Sequence, residues 1–213
     1  MTGPGDKISQ RSSVELLPDR VVKHFNDPTH FRRELLVYQK NLAVTPKLLE
    51  YDTPRTIVLE RLDAIPYLDV QPRFPAQLLA EAIAVLHGSE TDSERCFCHI
   101  DNQPKNILMS HNRCYLIDFA DSKLDLPETD LTHLMLFWAE IYSPEIMAEI
   151  CIAFLKYYIG PVKLQAPRWE HCLKSSIRRF DKRRRKFRPS HVCANSAQTE
   201  QNRVFLHRIA AML

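Results

Sequence analysis

The sequence predicts an α+β protein of two unequal lobes: a reduced first lobe of sheet with one helix, then a compact, mainly helical second lobe. Two observations predict it. Up to about residue 60 the apolar residues come in short runs bounded by turn residues, with one stretch at helical spacing. From Phe74 onward the spacing is helical almost throughout, interrupted by one hairpin signal. The lobes are assigned to residues 1–63 and 64–165, with a basic helical extension over 166–213.

In chain order, Ile8, Val14-Glu-Leu-Leu and Val21-Val-Lys-His-Phe25 fit three short antiparallel strands, with turns at Ser12-Ser13 and Pro18-Asp19. Asn26-Asp-Pro-Thr is a helix-start signal, and Phe31, Leu35, Leu36 and Tyr38 extend it to a helix over 29–41. Pro46–Tyr51 and Thr56–Glu60 read as two further strands. Phe74–Leu86 has the wide apolar face of a core helix, and 89–95 is a polar loop. Ile107-Leu-Met and Cys114-Tyr-Leu-Ile117 flank the turn Ser110-His-Asn-Arg113 as a hairpin. Residues 128–159 read as two helices broken near Ser143-Pro144, 168–187 as a basic helix, and about 198–213 as a final amphipathic helix.

Composition narrows the class. The 213 residues are 45% hydrophobic and 26% charged, ordinary globular usage that excludes a disordered tail, a fibre or a coiled coil. No apolar run approaches the ~18 residues of a membrane span, and the start lacks an apolar signal core, so a cytoplasmic protein with reduced thiols is expected. Only 4 glycines stand against 14 prolines, which disfavours a glycine-rich loop. The net charge of +3 hides an asymmetry: residues 178–188, RRFDKRRRKFR, hold eight of the 29 basic and one of the 26 acidic residues, leaving 21 against 25 elsewhere.

The stretch Cys98-His-Ile-Asp-Asn-Gln-Pro-Lys-Asn-Ile-Leu108, then Tyr115-Leu-Ile-Asp-Phe-Ala-Asp121, carries the chemistry. Asn106 precedes the first hairpin arm and Asp118 follows the second, so their side chains emerge together at one end of strands about 5 Å apart. An amide oxygen and a carboxylate suit a magnesium ion holding phosphates. Asp101, in the loop entering the same end, can orient an attacking hydroxyl or accept its proton.

This stretch resembles the catalytic loop and metal segment of the protein-kinase-like superfamily. The likeness covers about residues 8–160 and extends upstream. Val21-Val-Lys23 resembles the strand whose lysine holds the α- and β-phosphates of ATP, and Glu34 would pair with Lys23. Thr56–Leu62 resembles the segment joining the lobes, where the backbone of Glu60 and Leu62 would bond the adenine behind Leu59. The resemblance implies ATP and magnesium as cofactors, Asn106 and Asp118 as metal ligands, and Asp101 as the catalytic residue. Leu126-Pro-Glu-Thr-Asp-Leu-Thr resembles aminoglycoside and choline-type phosphotransferases, in which Asp130 would bond the catalytic-loop backbone and cap a helix. Size and layout also resemble the small kinase-like ATPase of the tRNA threonylcarbamoyladenosine complex and lipopolysaccharide core kinases. His99 would hold the metal-segment backbone.

The sequence departs from the pattern at several points. Gln10-Arg-Ser-Ser13 stands where a glycine-rich loop would cover the phosphates, so Ser12 and Ser13 would use hydroxyls and backbone N–H groups. Asp118-Phe-Ala120 replaces the usual DFG, and Gln103 stands two residues after Asp101, where it does not report substrate class. Cys96 and Cys98 share a strand face; zinc would need further ligands, and buried thiols fit better. For 178–188 the readings are a solvated helix face, RNA binding and contact with acidic lipid, with Phe180 and Phe187 anchoring the run and its arginines outward. The functional expectation is an ATP-dependent phosphotransferase, acting on a small-molecule or glycolipid hydroxyl or on a protein Ser/Thr. The alternatives are an ATPase subunit of an RNA-modifying assembly and a nucleotide-binding scaffold.

Overall fold

The first lobe is a four-stranded antiparallel sheet built as the alternation of its residues dictates. A computed structural model of the chain describes residues 12–70, 76–110, 112–187 and 197–213. Strand β1 (Ser12–Leu16) pairs with β2 (Arg20–Phe25), β2 with β4 (Thr56–Glu60), and β4 with β3 (Leu48–Asp52), giving the order β1-β2-β4-β3. Alternation along β2 puts Val21, Lys23 and Phe25 on one face. Helix α1 (Pro28–Gln39) packs there; Asp27 caps it, accepting from the Thr29 N–H at 2.7 Å, with proline at its first position. Its inward residues, Phe31, Glu34, Leu35 and Tyr38, follow helical spacing.

Ser12 and Ser13 form no turn. They open β1, opposite Phe25 and His24, because the turn that closes this hairpin is the Leu17–Asp19 stretch, where Leu17 N bonds Arg20 O at 2.9 Å. The strand expected at Ile8 and the turn residues Gln10 and Arg11 lie outside the described residues.

The second lobe surrounds the hairpin β8 (Ile107–Ser110)–β9 (Arg113–Leu116), which pairs on one edge with the short β5 (Ile65–Pro66). A second small sheet has the order β10-β7-β6: β6 (Thr91–Asp92), β7 (Arg95–Cys98) and β10 (Lys123–Asp125). The stretch read as polar loop at 89–95 and the segment following the metal motif, 119–129, therefore each contribute a strand. Both strands are too short and polar to show alternation, and they exist because β7 has two open edges.

Helices α2 (Ala76–Gly88), α3 (Pro127–Ile141), α4 (Pro144–Tyr157), α5 (Ala166–Phe187) and α6 (Ala197–Ile209) complete the lobe. The break at Ser143-Pro144 is real: Ser143 caps α4 and Pro144 begins it. Helices α5 and α6 pack into the lobe's core, since Trp169, Leu173 and Phe180 of α5 and Leu206 and Ile209 of α6 join the apolar cluster that also holds Trp138 of α3 and Phe154 of α4. On α5 the buried stripe runs Trp169, Cys172, Leu173, Ser176, Phe180, a spacing of three and four. No helix among the described residues is long and apolar enough to cross a membrane.

Candidate active site

Lys23 joins the lobes. Its ammonium lies 2.7 and 2.9 Å from the Glu34 carboxylate oxygens and 2.7 Å from Asp118 Oδ1, although Asp118 is 95 residues away in the chain. The Phe25 ring stands 5.1 Å from the same ammonium, and Tyr38 donates to Glu34 Oε1 at 3.1 Å. Burial disfavours the Lys23 charge, but Glu34 and Asp118 outweigh burial and raise the ammonium above its ordinary value. Burial is stronger at Glu34, whose carboxyl is pushed up to about 7 against the pull of Lys23.

The catalytic loop is held from beneath. Asp130, fully buried in the first turn of α3, accepts from His99 N at 2.6 Å and from Ile100 N at 2.7 Å. The expected backbone bonding is present, but Asp130 caps no helix: Leu126 occupies the cap position and the carboxylate points back to the loop. Those bonds hold Ile100 at φ 68°, a left-handed conformation unfavourable to a β-branched residue. Such strain costs about 1–3 kcal/mol and persists only where the surroundings over-determine it. Asp130 also meets His87 Nε2 at 3.2 Å, and Asn102 Nδ2 donates to the Asp130 carbonyl at 2.8 Å.

Asp101 follows immediately. Gln103 Nε2 donates to its Oδ2 and Arg183 Nη1 to its Oδ1, each at 2.8 Å. Burial would raise the Asp101 carboxyl, but the Arg183 charge and hydrogen bond outweigh it and hold Asp101 below the usual carboxylate range. The arginines of α5 nearest the loop thus turn inward, not outward. Phe180 does anchor the helix, its ring edge-on to Phe137 at 4.9 Å. The side chain of Phe187 lies outside the described residues.

The hairpin brings Asn106 and Asp118 together as its register requires. Ile107 faces Leu116, and Ile117 N bonds the Asn106 carbonyl at 3.0 Å, so Asn106 and Asp118 flank one end. Asn106 Nδ2 donates to the Asp101 carbonyl at 2.8 Å, which orients the amide and leaves its oxygen for a cation. His99 Nε2 meets the Ile117 carbonyl at 2.9 Å and fixes the backbone beside Asp118, itself at φ 68°. An amide oxygen and a carboxylate at one strand end fit a hard divalent cation such as magnesium. The Cys96, Cys98 and His87 side chains gather within 4.8 Å, but both His87 nitrogens are bonded, Nδ1 to the Tyr158 hydroxyl at 2.7 Å and Nε2 to Asp130. A cleft of about 190 Å³ opens over the constellation, lined by Ser12, Phe25, Asp101, Lys105, Asp118 and Asp121. Ser12 reaches it from β1; Ser13, exposed, does not line it.

At the junction of the lobes, Glu60 N is taken by the Lys47 carbonyl at 3.0 Å, and the Glu60 side chain accepts from Lys47 N at 2.9 Å. Leu62 has no backbone partner among the described residues. Leu59 is buried behind them. Sequence reasoning missed Arg179, Arg183 and Lys105. The signal for Arg183 was available: it lies on the inward face of α5 three residues beyond Phe180.

A lysine–glutamate pair over a metal-type Asn/Asp end, with an aspartate on the facing loop, defines a kinase-like phosphotransferase cleft. The phosphotransferase enzyme family, APH, matches residues 19–168, and the chain belongs to it. It is a phosphotransferase enzyme of protein-kinase-like fold. Three solved structures are similar. A choline/ethanolamine kinase family protein from Mesorhizobium loti has TM-score 0.67 and 13% identity, covering 97% of this chain and 93% of that one. The choline kinase LicA from Streptococcus pneumoniae has TM-score 0.58 and 16% identity, covering 96% and 89%. The gentamicin complex of APH(2")-IIa has TM-score 0.59 and 15% identity, covering 95% and 87%. No curated protein sequence matches the chain.

Proposed function

We propose that the protein transfers the γ-phosphoryl group of ATP to a hydroxyl of a small-molecule acceptor. The observation that carries this is the triple contact at Lys23, which unites the sheet lobe, α1 and the Asp118 strand end around one ammonium. In this reading Lys23 holds the α- and β-phosphates and Glu34 keeps it in place. The Glu60 carbonyl and the Leu62 backbone hold the adenine, and Ser12 reaches the phosphates. Asn106 and Asp118 hold magnesium, which when bound supplies neutralisation of the phosphate oxygens. Asp101 orients the acceptor hydroxyl and accepts its proton. The acceptor oxygen bonds to the γ-phosphorus as the bond to the β–γ bridging oxygen breaks, and ADP leaves. APH(2")-IIa, a similar fold with 15% identity, has been solved with streptomycin and ATP, which supports the nucleotide assignment.

A small-molecule acceptor is favoured over a protein because only residues 119–126 separate the metal segment from α3, too short for a regulatory activation loop. Calorimetric titration with magnesium–ATP tests the reading. Lys23→Ala should weaken binding, and unchanged affinity would refute the role given to Lys23.

A further inference from the structure

We propose that the acceptor is an anionic alcohol, a hydroxyl compound bearing a phosphate or carboxylate that Arg179 and Arg183 of α5 grip beside Asp101. This rests on the phosphotransferase reading and adds the substrate class to it. Arg183 reaches the catalytic loop from α5, its Nη1 2.8 Å from Asp101 Oδ1 and its Nη2 3.7 Å from Asp121 Oδ2, both residues of the cleft lining. Arg179 lies one helical turn earlier on the same face. Its Nε and Nη2 are buried and have no hydrogen-bond partner among the described residues. A guanidinium carries five donors in a planar fork, and burying it unpaired is unfavourable unless an anion completes it.

The surroundings suit such an anion. Arg179 lines a second cavity, of about 250 Å³, between α5 and the start of α3, with Thr129, His171, Ser175 and Ser176 beside it. The carboxylate in that wall, Asp125, is already engaged: Oδ1 accepts from Leu126 N at 2.8 Å and from Thr129 Oγ1 at 3.4 Å, and Oδ2 pairs with Lys123 at 2.7 Å. Two like charges at positions i and i+4 repel each other, and a shared anion converts the repulsion into attraction. Burial and Arg183 together lower the Arg179 guanidinium from its ordinary value, with Asp130, Asp101 and Asp125 opposing them, so the two arginines and Asp101 sense one another. Lys182 and Arg185, exposed on the same helix, add positive potential.

The test uses the full chain saturated with magnesium and a non-hydrolysable ATP analogue, titrated by calorimetry with glycerol 3-phosphate, glycerate and choline. Either anion should bind and choline should not. Arg179→Gln and Arg183→Gln should each weaken the anion at least about tenfold. Arg178→Gln, which removes an exposed charge from another face of α5, should leave it within about twofold. Arg179→Lys and Arg183→Lys keep the charge and guard against misfolding; each should fall between wild type and the glutamine variant. Phosphatidylglycerol vesicles presented in parallel separate a lipid headgroup from a free metabolite, and binding in either form supports the class. Choline binding without anion binding, no anion binding in either form, or equal losses at Arg178 and Arg179 would overturn the proposal. Failure of the ATP analogue itself to bind would instead overturn the phosphotransferase reading.

Discussion

The two sides of the catalytic loop are built on opposite principles. On the inner side the Asp130 carboxylate is fully engaged: it takes His99 N, Ile100 N and His87, and its carbonyl takes Asn102. On the outer side Arg179 Nε and Nη2 have no hydrogen-bond partner among the described residues, and Arg183 rests on the carboxylate that the reaction needs. A buried network that is fully satisfied fixes geometry. One that is incomplete leaves room for a ligand. The inner side therefore holds the strained backbone at Ile100, and the outer side meets the substrate.

Substitutions on each side should separate stability from activity. Asp130→Ala leaves two loop N–H groups and His87 unpaired inside the core, and should cost about 3–5 kcal/mol in denaturant unfolding while abolishing turnover. Asp101→Asn should lower turnover about 100- to 10,000-fold, with an unchanged far-UV spectrum and melting midpoint; turnover at the unmodified rate would remove Asp101 from the mechanism.

The inner side should also show itself in pH dependence. Burial alone would lower His87, but hydrogen bonds and charge from Asp130 and Cys96 outweigh it and raise the imidazole to about 9. A folded value above the unfolded one of about 6.5 means the contribution is complete below that pH and lost as pH rises through about 9. The unfolding free energy from urea titrations should fall over this range, by up to ~3 kcal/mol, and His87→Gln should flatten the fall. Gly160→Ala is a smaller probe of the same side. A Cβ there lands on the Tyr158 ring, whose hydroxyl meets His87 Nδ1 at 2.7 Å, and should cost about 1–3 kcal/mol.

On the outer side, Arg183→Gln should change stability by less than about 1 kcal/mol, because the Arg183 side chain is 41% exposed. Its effect belongs in the pH–rate profile. With Arg183 gone the Asp101 carboxyl rises, so the acid limb should move to higher pH. An unmoved limb would show that Arg183 does not act on Asp101.

Much of the inner side was legible in the sequence because it rests on short-range order. His99, Asp101, Asn106 and Asp118 sit on one loop and one hairpin, so spacing alone brings them to one end. Lys23 and Glu34 were found through strand and helix context. The outer side was not legible by the same means. A dense run of arginines reads as a solvated charge face, and only the helical register of Trp169, Leu173, Ser176 and Phe180 shows that Arg183 lies on the inward face of α5. The strands β6 and β10 escaped because their residues are polar and their pairing depends on β7. Ser12 and Ser13 looked like a turn because serine favours turns locally; pairing with β2 overrides that preference.

The decisive experiment follows the label from γ-labelled ATP with magnesium and a small-molecule extract, in wild type and in Asp101→Asn. Passage of label to a low-mass acceptor, lost in the variant, is the result predicted. Label remaining on ATP in the wild type, or passing equally fast in the variant, would contradict the assignment of this cleft to phosphoryl transfer.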